Sequence, residues 1–340
     1  MKLLLLTSIL FLCGIQLSCA KSLRTLDFSY YWSLDEINEY IHDLGQRFPE
    51  ITEVEEMGIT DENRTIFGIR IVNNQNLAER NFSMPILMIT GGASARDWIS
   101  VMAAINIIHE LVEHYNEFQI LVDYLEWFVI PCLNPDGFVF SQTEGNREWV
   151  KTRKVLQGTD CIGVNIERNF NIYWDSGSDD PCSDEYRGPV QTSEEATRLL
   201  EFFFYYTSRV QESYISIQAG IPNSFNGNVA YPFAHSSEAI PDNWERKRNI
   251  ANDMSASINR LTGARYRTGS AANLAGQASG TSTDYATTVT ETPLAFTVFA
   301  PAGGRFGYDV EEWRINPIVD QIFAAIEDLA RHLIFSPTND

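Results

Sequence analysis

Four short segments hold most of the side chains that could do chemistry in this 340-residue chain: Ser94-Ala95-Arg96-Asp97, Asn134-Pro135-Asp136-Gly137 with Arg147, Lys151 and Arg153 beyond it, Glu167-Arg168, and Gln218. A fifth position, Phe299, closes the last apolar run and carries no chemistry of its own. The carboxylates and hydroxyl suggest metal ligation or nucleophilic attack, and the arginines suggest an anion pocket. A histidine zinc site and a serine triad both draw on imidazole, and none of the five histidines falls in these segments. His42, His109, His114 and His332 lie on helical stretches, and His235 sits in a loop after Tyr231-Pro232 with no partner in sequence. His109 and His114 are five apart, so they do not share a helix face, and each has a glutamate four residues away, as on a solvated surface. A histidine zinc site is therefore hard to assemble. A hydrolase using Ser94 as nucleophile lacks both a nucleophile elbow and a histidine at another strand end. With no CxxC pair, a cysteine metal site is disfavoured as well.

Positioning these segments takes a framework of alternating elements. Ser33-Leu34-Asp35-Glu36 reads as a capping box opening a helix with Leu34, Ile37, Ile41 and Leu44 on one face. Strands are predicted at 67–71, 85–90, 126–131, 213–217 and 294–300, several apolar on both faces. Helices are predicted at 97–115, after Thr192-Ser193-Glu194-Glu195 through the aromatic cluster 202–206, at 242–261, and at 311–333 with Pro317 inside; 134–192 reads as irregular. The pattern implies one α/β domain with a twisted, mixed but mainly parallel sheet and helices on both faces. Ligands in such sheets sit at the carboxyl ends of strands, here 91–97, 131–137, 218–220 and 299–304.

Composition narrows the partners. The hydrophobic fraction is 44% and the formal charge −20, which excludes disorder and argues against nucleic acid and anionic lipid. Residues 1–20 read as a signal peptide: Lys2, an apolar run from Leu3 to Leu17, and Ser18-Cys19-Ala20 at the cleavage site. No later stretch is long enough to span a bilayer. The expectation is a secreted, extracellular, monomeric glycoprotein, with sequons at Asn63 and Asn81. Beyond the signal, Cys132 sits in an apolar run and reads as a buried thiol. Cys161 and Cys182 are left to form a disulfide closing a polar loop.

Over roughly residues 26–333 the chain resembles the secreted zinc metallocarboxypeptidases of the carboxypeptidase A/B type. The resemblance rests on residues 92–99 (GASARDWI), Asn134-Pro135-Asp136-Gly137-Phe138, 146–153 (NREWVKTR), Cys161-Ile162-Gly163-Val164, Arg168-Asn169, Pro181-Cys182-Ser183, Ser216-Ile217, Tyr231-Pro232, Ala278-Ser279-Gly280 and Phe296-Thr297. It implies that family's fold as one domain over 21–340, following the signal without room for a propeptide.

The departures fall on the chemistry. The family's zinc ligands, His-x-x-Glu and a further His, correspond to Ser94, Asp97 and Gln218. Its general-base Glu falls on Phe299, the arginine that polarises the scissile carbonyl on Val150, and the tyrosine that closes over substrate on Gly276. A hydroxyl, a short carboxylate and an amide are a poor zinc set. Phe299 moves no proton, and Val150 stabilises no oxyanion. Arg168 matches the arginine that grips a C-terminal carboxylate, and Arg96 and Arg147 match arginines of neighbouring subsites. The partnering Asn is replaced by Glu167, which would repel an incoming C-terminus and could pair with Arg147 or Arg168 instead. The specificity position is Thr283. The expectation is a carboxypeptidase-like pseudoenzyme without peptidase activity or bound zinc, acting as a binding or structural protein for an extracellular protein or peptide. The alternative is an atypical metallocarboxypeptidase that removes C-terminal residues.

Overall fold

The computed structural model describes residues 26–79, 84–222 and 224–336, so the signal segment and the Asn81 sequon lie outside the described residues. The strands are β1 (Thr52–Ile59), β2 (Thr65–Ile71), β3 (Ile86–Thr90), β4 (Glu126–Ile130), β5 (Gln211–Gln218), β6 (Asn228–Tyr231), β7 (Arg267–Ser270) and β8 (Leu294–Phe299). They form one sheet in the order β1-β2-β4-β3-β5-β8-β6-β7. The central strands β4, β3, β5 and β8 run parallel, while β2 joins β4 and β6 joins β8 antiparallel. The helices are α1 (Leu34–Arg47), α2 (Asn74–Glu79), α3 (Trp98–Glu113), α4 (Tyr115–Tyr124), α5 (Pro135–Ser141), α6 (Glu195–Thr207), α7 (Trp244–Thr262), α8 (Ala271–Ala275), α9 (Ser282–Thr288) and α10 (Ile315–Phe335).

Strand alternation sends neighbouring side chains to opposite cores. Leu87 and Ile89 of β3 join Ile41 of α1, Ile105 of α3 and Ile322 of α10 on one face. Met88, between them, joins Leu200 and Phe204 of α6 and Ala286 of α9 on the other. Every residue of β3 and β8 is buried, which is why these strands read as continuous apolar runs. No described helix is long and apolar enough to cross a membrane.

Several local expectations need correction. The helix predicted over 97–115 stops at Glu113, and α4 follows after His114. The cap of α6 is Glu194 without a side-chain capping bond; Thr192 instead donates its hydroxyl to Glu201 (3.0 Å). The helix predicted from 311 begins at Ile315 after a short 3₁₀ turn. Pro317 then falls in its first turn, where no backbone N–H is required. Strands β1, β6 and β7 are short or polar and were not predicted, and α5 lies inside the stretch read as irregular. By contrast, Ser33 forms the full capping box with Glu36. Cys161 and Cys182 are disulfide-bonded, and Cys132 is a buried free thiol whose pKa is pushed up by burial. Asn63 sits on the exposed turn between β1 and β2.

Candidate functional site

The carboxyl ends of β3, β5 and β8 open into a cavity of about 260 Å³. Strand register places Gln218 and Phe299 side by side as the last residues of β5 and β8. The loop from β3 to α3 brings Ser94, Arg96 and Asp97 to the same wall, and Val150, Glu167, Arg168, Gly276 and Thr283 complete it. The positions read as one site from their spacing thus meet in space, with the exception of Arg147. Among the described residues, no histidine lines the cavity.

Most of these residues are committed to a neighbour. The Asp97 Oδ2 accepts the Ala219 N–H at 2.9 Å, tying the start of α3 to the end of β5. Burial raises the Asp97 pKa, and the Ala219 bond opposes that shift. Gln218 donates its side-chain amide to Ser216 Oγ at 3.2 Å. Phe299 is 8% exposed and packs with Ala230, Ala234 and Ala271 in a small apolar cluster. Val150 is buried, and its carbonyl accepts the Ala95 N–H at 2.9 Å. Gly276 has φ +91° with open space where a Cβ would stand, a backbone conformation that L side chains rarely adopt. Thr283 is buried with its hydroxyl 3.5 Å from that of Thr297.

The charged groups pair differently from the expected cluster. The Glu167 carboxylate reaches neither Arg147 nor Arg168. It accepts the Ser282 N–H (3.0 Å) and hydroxyl (2.8 Å), with Ser216 Oγ at 3.4 Å. Burial raises its pKa, partly offset by the Ser282 bonds. Arg168 instead pairs with Glu185 at 2.5 Å and donates to the Glu167 carbonyl at 2.7 Å. Arg147 does not line the cavity. Its guanidinium lies 3.7 Å over Trp98 and donates to the carbonyls of Arg96 (2.7 Å) and Tyr308 (3.1 Å). Arg96 stays in the wall, 4.5 Å over Tyr308 and 3.9 Å from Asp184. Ser282, Glu185 and Tyr308 carried no local signal, because each meets its partner only through long-range folding.

The residues at the zinc positions do not fit the ion. Of three donors, only Asp97 can carry a negative charge, and it already accepts a backbone N–H, while Gln218 directs its amide N–H to Ser216. A neutral hydroxyl and an amide carbonyl leave too little basicity for zinc. At the positions to which the resemblance assigns the general base and the arginine stand Phe299 and Val150, neither of which titrates.

Two histidines depart from expectation. His235 is held by Asp284, Nδ1 to Oδ2 at 2.8 Å, and stacks on Tyr173 at 3.6 Å, so it has a partner far away in sequence. His109 is 5% exposed rather than solvated, hydrogen-bonded through Nδ1 to Tyr40 at 2.7 Å. Burial, with the nearby His114 and Arg47 adding to it, pushes its pKa down to about 4. Because α3 ends at Glu113, His114 turns back towards His109, with ring centroids 5.0 Å apart.

Residues 37–325 match the zinc carboxypeptidase family profile. The chain is 28% identical to a carboxypeptidase B of Astacus astacus over 309 residues, 90% of this chain and 97% of that protein. It is also 25% identical to the inactive metallocarboxypeptidase ecm14 of Schizosaccharomyces pombe over 319 residues, 90% of this chain and 63% of that one. The carboxypeptidase A of Helicoverpa armigera superposes with a TM-score of 0.84 at 25% identity, covering 95% of this chain and 78% of that structure.

Proposed function

This chain belongs to the zinc carboxypeptidase family, and we propose that it is a secreted member whose peptidase chemistry is dismantled and whose role is binding or structural. The observation that carries this reading is the donor set at the strand ends. Ser94, Asp97 and Gln218 stand where two imidazoles and a glutamate would hold zinc, and Asp97 spends its carboxylate on the Ala219 N–H. Phe299 adds a second, independent loss, because an apolar ring cannot take the proton from an attacking water. Groups that act as a unit fail together, so the remaining arginines do not rescue hydrolysis. The family includes relatives named as carboxypeptidases and others named inactive, so membership alone favours neither.

The same reading places the protein outside the cell as a monomer. The signal-like residues 1–20, the Cys161–Cys182 disulfide and the exposed Asn63 sequon support export and a glycan at Asn63, with Asn81 a second candidate. The partner class is an extracellular protein or peptide. Arg96 and Arg168 keep positive charge in the cavity, but Glu167 and Glu185 oppose it, so a free C-terminal carboxylate is bound weakly.

Release of C-terminal residues from a peptide panel, with and without chelator, tests the reading. No release is expected from the wild type. Chelator-sensitive release that disappears in Asp97→Asn would establish the atypical metallocarboxypeptidase instead.

A further inference from the structure

The break between α3 and α4 brings together three side chains that the cavity does not use. His109 and Glu110 sit in the last two turns of α3, and His114 is the single residue before α4. One ligating atom from each of His109, Glu110 and His114 lies within 4.8 Å of the others. We propose that His109, Glu110 and His114 form a peripheral site for a divalent transition cation of the zinc class.

Two imidazoles and a carboxylate make the three-ligand set found around zinc with one position left for water. Nitrogen donors select such ions over calcium and magnesium, which want oxygen cages. The site is partly pre-organised. Tyr40 fixes the buried His109 ring through Nδ1 at 2.7 Å, as a partner to a metal-bound imidazole does. Glu110 Oε2 lies 2.8 Å from His114 Nδ1 and already orients that ring. His114 and Glu110 are 35% and 21% exposed, so an ion has access and these two side chains can close the last ångström or so that metal–ligand bonds of about 2 Å require. Asp320 of α10, itself mainly desolvated, also feels the charge of Glu110, so a cation bound at Glu110 meets added negative charge nearby.

The site is distinct from the cavity. Asp97 stands just before the opposite end of α3, about 18 Å from His109 along the axis at the helical rise per residue. Binding here therefore leaves the reading of the strand-end cavity untouched.

Equilibrium dialysis of the full chain against zinc alone, with elemental analysis of the retained metal, tests the site. About one equivalent is expected to be retained. His114→Ala and Glu110→Gln, both partly exposed, are expected to lower affinity at least tenfold, whereas Asp97→Asn leaves it unchanged. Circular dichroism confirms that each variant is folded, and His109 is left intact because its ring is packed against Tyr40. Failure of the wild type to retain zinc, or undiminished retention in both His114→Ala and Glu110→Gln, would overturn the site while leaving the pseudoenzyme reading intact. Zinc kept in those variants but lost in Asp97→Asn overturns both.

Discussion

Glu167 is the residue at which burial and charge conflict most plainly. Its carboxylate is buried, its hydrogen bonds come from Ser282 and Ser216 rather than from a cation, and its pKa is raised. In the window between the ordinary carboxylate pKa and the raised value, the folded chain binds more protons than the unfolded one, so stability falls as pH rises. Thermal melts from pH 5 to pH 8 are therefore expected to decline less steeply for Glu167→Gln than for wild type; parallel curves would contradict this. His109 works in the opposite sense. Its imidazole titrates near 4 when folded and near 6.5 when unfolded, so the unfolded chain takes the proton first. The stability it permits is complete above about pH 6.5 and is lost towards pH 4, by about 3 kcal/mol. Urea unfolding in chelator at pH 7 and pH 4.5 checks this, with His109→Gln expected to show a smaller loss than wild type.

Among the elements, α1 and α3 show how differently two helix starts are secured. Ser33 accepts the Glu36 N–H and Glu36 answers to the Ser33 N–H, a local arrangement visible in four consecutive residues. Ser33→Ala is expected to cost about 1 kcal/mol of stability, read from urea midpoints. The residue before α3, Asp97, makes no side-chain capping bond and reaches across to Ala219, 122 positions away. Asp97→Ala strands a buried N–H and is expected to cost about 1–3 kcal/mol, while Asp97→Asn keeps an acceptor oxygen and costs less. Equal losses in the two variants would show that this bond does not matter. The end of α3 falls short of the expected 97–115 helix for a related reason. The five-residue spacing of His109 and His114 separates them on one continuous helix, but the helix stops between them.

For the whole molecule, the disulfide closes a loop across a sequence separation of 21 that packs beside the cavity. Reducing it, or replacing Cys161 and Cys182 by Ala, is expected to lower unfolding free energy by about 3 kcal/mol in the chain-entropy account, measured by chemical denaturation. Cys132, buried and with a raised pKa, should stay unreactive to thiol reagents until the chain unfolds. Fold class, the central strands, the Ser33 box and the cysteine pairing were legible because each depends on local periodicity or a short count. The positions lining the cavity were legible too, because spaced motifs carry the family's order along the chain. Sequence alone therefore determined which chemical groups stand at the strand ends, and that no histidine is among them. Only the tertiary structure decided what those groups do instead: Glu167 turns to Ser282, Arg147 is clamped between Trp98 and backbone carbonyls, and His109 is buried against Tyr40. Such partners are fixed by burial, where an unsatisfied polar group costs more than the bond it makes is worth. Nothing within a few residues of Glu167, Arg147 or His109 announces which distant atom will satisfy it.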